Sequence, residues 1–166
     1  DGKIYHGAKP GESEIGHIQI DREGTILESR CSGWAVDKRI RAAKTKNPDS
    51  ALSKLIGEVQ SSEAKFLKTA LEKNDSDAQK ILQETAEDLA FGLSHVVHLF
   101  HPKIIILGGG LSLIGERLRN AVENALQKFV MAALLPAPKI SLAKLGEDSV
   151  PIGALQLAIS QQLSVL

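Results

Sequence analysis

The sequence predicts an α/β fold on three observations. A long segment with helical spacing, Ala78 to Phe100, runs into Pro102 and then into the uninterrupted β-branched run Ile104-Ile105-Ile106-Leu107. The run ends in Gly108-Gly109-Gly110, after which a helix, a short strand and a last helix follow, which is one βαβ crossover with covering helices. The core must be aliphatic, because the chain holds one Trp, one Tyr and four Phe within a hydrophobic content of 43%.

The elements follow in order. Five glycines, Gly2, Gly7, Gly11, Gly16 and Gly24, punctuate the first thirty residues, and Ile18 and Ile20 alternate with polar residues between them. This predicts strands and loops, with a hairpin at Asp1-Gly2 and Lys3 to Tyr5 and a reversal at Glu23-Gly24. From Ser32 onward charged helical segments are expected at Ala35 to Lys44, Ser50 to Gln60 and Ser62 to Glu72, separated by Asn47-Pro48-Asp49 and Ser61-Ser62. Ser76 with Gln79 reads as a capping box opening the longest helix, whose apolar positions include Ala78, Ile81, Leu82, Ala86, Leu89, Leu93, Val96 and Val97. The strand Ile104 to Leu107 has no polar interruption and is expected to be buried on both faces. Ser112 is the expected N-cap of a helix from about Leu113 to Ala132, Pro136-Ala137-Pro138 precedes a strand at Lys139 to Ala143, and Ser149 with Pro151 opens the last helix.

Twenty basic residues balance twenty acidic ones and neither half shows a basic run, which argues against a general binder of nucleic acid or of an anionic membrane. The charge-free stretch Val150 to Leu166 is polar in places and shorter than the ~20 residues of a spanning helix. The single cysteine, Cys31, makes no internal disulfide, which points to a cytoplasmic location. A chain of 166 residues suits one domain, and its start at Asp1 inside an expected hairpin suggests a piece of a longer protein.

Three constellations carry chemistry. The turn Gly108-Gly109-Gly110 stands at the carboxyl end of a strand, where open α/β sheets bind ligands, and glycine lets a ligand approach the backbone. It lacks both the dinucleotide spacing and the Walker lysine, so a turn that only packs helix on strand fits the residues as well. The cluster Gly11-Glu12-Ser13-Glu14-Ile15-Gly16-His17, followed by Glu28 and Ser32-Gly33, has the carboxylates and imidazole that hold vicinal hydroxyls. By spacing alone a solvated acidic loop is the simpler reading. His95, His98 and His101 recur every three residues at the end of the long helix; caps or an interface explain them better than a metal.

Together these residues resemble the ROK family of bacterial sugar kinases and related repressors, which includes glucokinases and N-acetylhexosamine kinases. Tyr5-His6-Gly7-Ala8 and then Gly11 to His17 look like the family segment ending in Glu-Ile-Gly-His. Leu27-Glu28 with Ser32-Gly33 looks like its Cys-Leu-Glu and Ser-Gly, Pro102 to Ser112 like its strand and triple-glycine turn, and Gly146-Glu147-Asp148 to Gly153-Ala154 like its last helix. The resemblance implies the second lobe of an actin-like, ribonuclease-H-like ATPase, a mixed sheet covered by helices, across residues 1–166. It implies that Glu14, His17 and Glu28 hold sugar hydroxyls and that Gly108, Gly109 and Gly110 lie against the adenosine of ATP, used with Mg. The partners implied are a hexose substrate, an N-terminal lobe absent from this chain and a possible homodimer through the histidine-bearing helix.

The sequence departs from the family in two respects. A zinc site in the family uses the Gly-His histidine and three cysteines in a Cys-x-Cys-Gly-x-x-Gly-Cys pattern; here Asp21 to Leu27 has no cysteine and Ile26 stands at the last position, so no zinc is expected at His17. The phosphate loop, the general-base aspartate and the Gly-Thr-Gly-x-Gly-Gly loop have no counterpart in this chain. The expectation is therefore a kinase C-terminal portion that is inactive alone, with the effector domain of a sugar-sensing repressor as the alternative.

Overall fold

The computed structural model describes residues 7–8 and 13–163, with side chains omitted at Glu147 and at 160–163. The hairpin expected at Lys3 to Tyr5 and the residues Gly11 and Glu12 lie outside the described residues. After a 3-10 turn at Ile15–His17, the chain forms α1 (Glu28–Cys31), α2 (Gly33–Lys46), α3 (Ala51–Ile56), α4 (Leu67–Glu72) and α5 (Ser76–Phe100). Strand β1 (Ile104–Leu107), α6 (Glu116–Phe129), β2 (Lys139–Leu142) and α7 (Ser149–Leu163) follow.

The long helix α5 organises the core. Ala78, Ile81, Thr85, Ala86, Ala90, Leu93 and Val97 are buried along it, the three-to-four-residue recurrence of one apolar face. Helix α6 lies against it and buries Leu118, Val122, Ala125 and Leu126, again one stripe. On the other side α1 and α2 pack on α5, clamped by Asp88, whose Oδ2 accepts from Arg30 Nε at 3.2 Å and from Arg39 Nη2 at 2.5 Å. The cap of α5 is Asp75 rather than Ser76: its Oδ1 accepts from Ala78 N at 2.9 Å, one residue earlier than the capping-box pattern indicates.

Strands β1 and β2 pair in parallel with Ile104 opposite Lys139 and Leu107 opposite Leu142, and Ala143 N donates to Leu107 O at 2.8 Å beyond the last pair. The expected burial of β1 on both faces is corrected here. Ile105 and Leu107 pack on the core, whereas Ile104 is 49% and Ile106 63% exposed. Successive strand residues point to opposite faces, and the helices cover only one of them. Helix α7, apolar nearly all round, likewise exposes Val150, Ile152 and Leu155. No helix among the described residues is long and apolar enough to cross a membrane.

The strand expected at Ile18 to Ile20 is reduced to a single antiparallel bridge between Gln19 and Ile26. The reversal falls where Glu23-Gly24 suggests, with Gly24 at φ 86° and Asp21 Oδ1 accepting from Thr25 N at 2.9 Å. Those Thr25 bonds hold the Asp21 carboxyl below its ordinary range. Helix α1 was not foreseen, because four residues carry no readable period.

Candidate functional site

The glycine turn is built by backbone demands. Gly109 has φ 77° and ψ −177°, a conformation open to glycine almost alone. A Cβ on Gly108 would touch Ala143 Cβ at 3.5 Å, so β1 and the end of β2 close tightly there. Ser112 is not the N-cap of α6. It lies in a 3-10 turn, Gly110–Ile114, where its backbone N and its Oγ both donate to Gly109 O, at 3.0 and 2.7 Å. Gly115, at φ 84°, precedes the first residue of α6 instead.

A cleft of about 620 Å³ opens beside this turn. Gly108, Gly110 and Ser112 form one wall, the first turn of α2 supplies Ser32, Gly33, Trp34 and Asp37, and Ser62, Ala64 and Lys65 close a third side. Ser32 caps α2 by accepting from Ala35 N at 3.3 Å. Asp37 Oδ1 accepts from Ala64 N at 2.7 Å, and the fully buried Glu63 meets Arg41 Nη1 at 2.7 Å, so α2 and the 3-10 turn Glu63–Phe66 form one frame. Trp34, Asp37 and Lys65 escape a reading of the sequence, since no motif marks them and only the packing of α2 against two turns brings them to the cleft.

Of the expected sugar ligands, the structure brings His17 and Glu28 together. His17 Nε2 stands 3.9 Å from Glu28 Oε2, and both side chains remain accessible. Gly16 lies close to Glu28 as well, since a Cβ there would sit 3.4 Å from Glu28 Cβ, in van der Waals contact. Glu28 Oε1 accepts from Trp34 Nε1 at 3.3 Å, and Trp34 in turn lines the cleft. Glu14 is placed elsewhere. It is exposed and borders an apolar groove with Ile15, Ile18, His95 and Phe100.

The donor set at His17 does not fit a closed zinc site. Cys31, the one cysteine of the sequence, is buried, and its Sγ donates to Leu27 O at 3.3 Å within its own helix. Among the described residues, no group of three or more His, Cys, Asp or Glu converges for a metal. The three histidines of α5 have structural partners or positions. His95 Nδ1 lies 3.0 Å from Phe91 O, His98 Nε2 accepts from Met131 N at 3.1 Å, and His101 ends the helix in the left-handed conformation.

The model of the ROK family matches residues 1–161. The chain belongs to the ROK family. A glucokinase of Thermotoga maritima is 27% identical over 86% of this ROK chain and 47% of its own length. A xylose repressor of Caldicellulosiruptor bescii is 23% identical over 99% of the chain and 43% of its own length. The ROK family glucokinase of Streptomyces griseus, solved in complex with glucose and AMPPNP, superposes with a TM-score of 0.78 at 26% identity, covering 87% of this chain and 50% of that one. The α/β fold is thus that of the actin-like ROK sugar kinases, and the chain spans about half the length of the curated relatives it matches.

Proposed function

We propose that residues 1–166 form one lobe of an ATP-dependent hexose kinase, with Glu28 and His17 holding sugar hydroxyls and the turn Gly108-Gly109-Gly110 facing the adenosine. One juxtaposition carries the reading: Trp34 links Glu28 directly to the cleft beside the glycine turn. A polyol site and a nucleotide site of a kinase must adjoin, because the hydroxyl oxygen attacks the γ-phosphorus in line with the departing ADP. The carboxylate accepts hydroxyl hydrogens, the imidazole accepts or donates, and the exposed edges of both leave room for a sugar ring. Glu14, exposed and three residues before His17, is the third hydroxyl ligand of this reading.

ATP, bound with Mg, supplies the phosphoryl group. In the cleft, Gly109 and Gly110 let the backbone approach the adenosine, and Asp37 and Lys65 offer an acceptor and a donor to its polar edge. No phosphate loop or general base has been identified in this chain, so it is expected to turn over no hexose alone. The second lobe in the full-length protein would supply them and lie over apolar surface such as Ile104, Ile106 and α7.

The match to a xylose repressor over almost the whole chain supports a second reading, a sugar-sensing effector domain in which the hexose site serves regulation. The full-length protein separates the two. Hexose-dependent formation of ADP is expected, with Glu28→Ala weakening hexose binding about tenfold or more. Sugar-responsive DNA binding without ADP formation would establish the repressor, and unchanged hexose affinity in Glu28→Ala would remove the sugar site.

A further inference from the structure

We infer that Trp34 is a positioning residue: its indole N–H aims the Glu28 carboxylate, and its ring carries the occupancy of the cleft to the sugar site. This rests on the hexose-kinase reading above. Trp34 is the only tryptophan of the chain and the second residue of α2. Its Nε1 has no role except donor, and it donates to Glu28 Oε1 at 3.3 Å. Trp34 also lines the cleft with Gly108 and Gly110.

Glu28 needs such a restraint. It opens the short helix α1, its side chain is 41% exposed, and its other oxygen faces His17 at 3.9 Å, beyond hydrogen-bond reach. A glutamate with one free carboxylate edge and three rotatable bonds loses much of its freedom when it binds a sugar; a donor that holds it in advance removes part of that cost. Trp34 has only two side-chain torsions and is 48% exposed, so a nucleotide base that stacks on its ring would restrain it further. Nucleotide and hexose then favour one another's binding, reciprocally.

The test uses the full-length protein. The probes are AMPPNP and whichever of D-glucose, D-mannose, D-galactose or N-acetyl-D-glucosamine binds the wild type most tightly by calorimetry. Trp34→Phe keeps an aromatic wall and removes the donor. It is expected to weaken hexose binding about fivefold or more and to abolish the tightening of hexose binding by AMPPNP. The tryptophan emission present in wild type and missing from Trp34→Phe should shift on hexose addition, and that shift should vanish in Glu28→Ala. Thermal melts of the variants report folding separately.

Trp34→Phe that binds the hexose as wild type does, while Glu28→Ala has lost it, overturns the role of Trp34 and leaves the sugar site standing. Glu28→Ala with wild-type hexose affinity, or a wild type that binds none of the four sugars, overturns the hexose-site reading and this proposal together.

Discussion

Gly92 of α5 lies directly beneath Leu27: a Cβ at position 92 would stand 2.3 Å from Leu27 Cδ2 and 2.8 Å from its Cδ1. Glycine inside a helix is otherwise costly, and its presence here makes room for the residue that precedes Glu28. Leu27 is 2% exposed and its N donates to Ile18 O at 3.0 Å, so it seats both α1 and the loop carrying His17. Gly92→Ala should therefore lower stability by about 1–3 kcal/mol despite better helix propensity, and weaken hexose binding by moving Glu28. Thermal denaturation and hexose titration of the full-length protein check this; a stabilised variant would show that Leu27 yields without consequence.

Asp75 ties two helices with one carboxylate. Its Oδ1 accepts from Ala78 N at 2.9 Å and its Oδ2 from Leu52 N at 3.0 Å, and it is 7% exposed. Asp75→Ala strands two buried N–H groups and should cost about 2–4 kcal/mol in denaturant unfolding. Asp75→Asn keeps one acceptor and turns an amide toward the other N–H, so a cost smaller than that of alanine is expected in the same measurement.

The glycine turn permits a paired comparison. Alanine at Gly109 meets no atom within 4 Å, so its penalty is conformational, about 1–3 kcal/mol from φ 77°. Gly110 also has open space and lacks the positive φ. Gly109→Ala should reduce both stability and affinity for a fluorescent ATP analogue, whereas Gly110→Ala should leave stability within about 0.5 kcal/mol. Equal stability losses would refute this account of the turn.

Cys31 should be slow to react. With its thiol pushed up to about 11 by burial first and by Asp88 second, only about one thiol in a thousand is ionised at pH 8. Deprotonation is disfavoured, so the rate of labelling by iodoacetamide should climb about tenfold per pH unit from 8 to 10 without levelling off. Mass spectrometry of the peptide containing residue 31 follows it in native protein; a plateau near pH 9 would mean an ordinary, accessible thiol.

What could be read directly in the sequence was local. The apolar recurrence from Ala78 to Val97, the β-branched run Ile104 to Leu107, the stop at Pro102 and the turn at Glu23-Gly24 all depend on residues within about one helical turn or one strand of each other. Motif order along the chain led to the ROK family for the same reason. Even local reading failed where residues within one turn compete: Asp75 rather than Ser76 caps α5, and Gly115 rather than Ser112 precedes α6.

Tertiary packing alone decided the rest. One face of β1 is bare because the core packs only against the face that carries Ile105 and Leu107, which no strand pattern reveals. His17 comes beside Glu28 because Leu27 is anchored over Gly92 and its N–H holds the loop at Ile18. Trp34, Asp37 and Lys65 meet the glycine turn across a cleft because α2 is fixed to α5 through Asp88 and to the Glu63 turn through Asp37 and Arg41. The local pattern chooses helix or strand residue by residue, but a binding wall is made of groups far apart in the chain, and their meeting depends on how the finished elements pack.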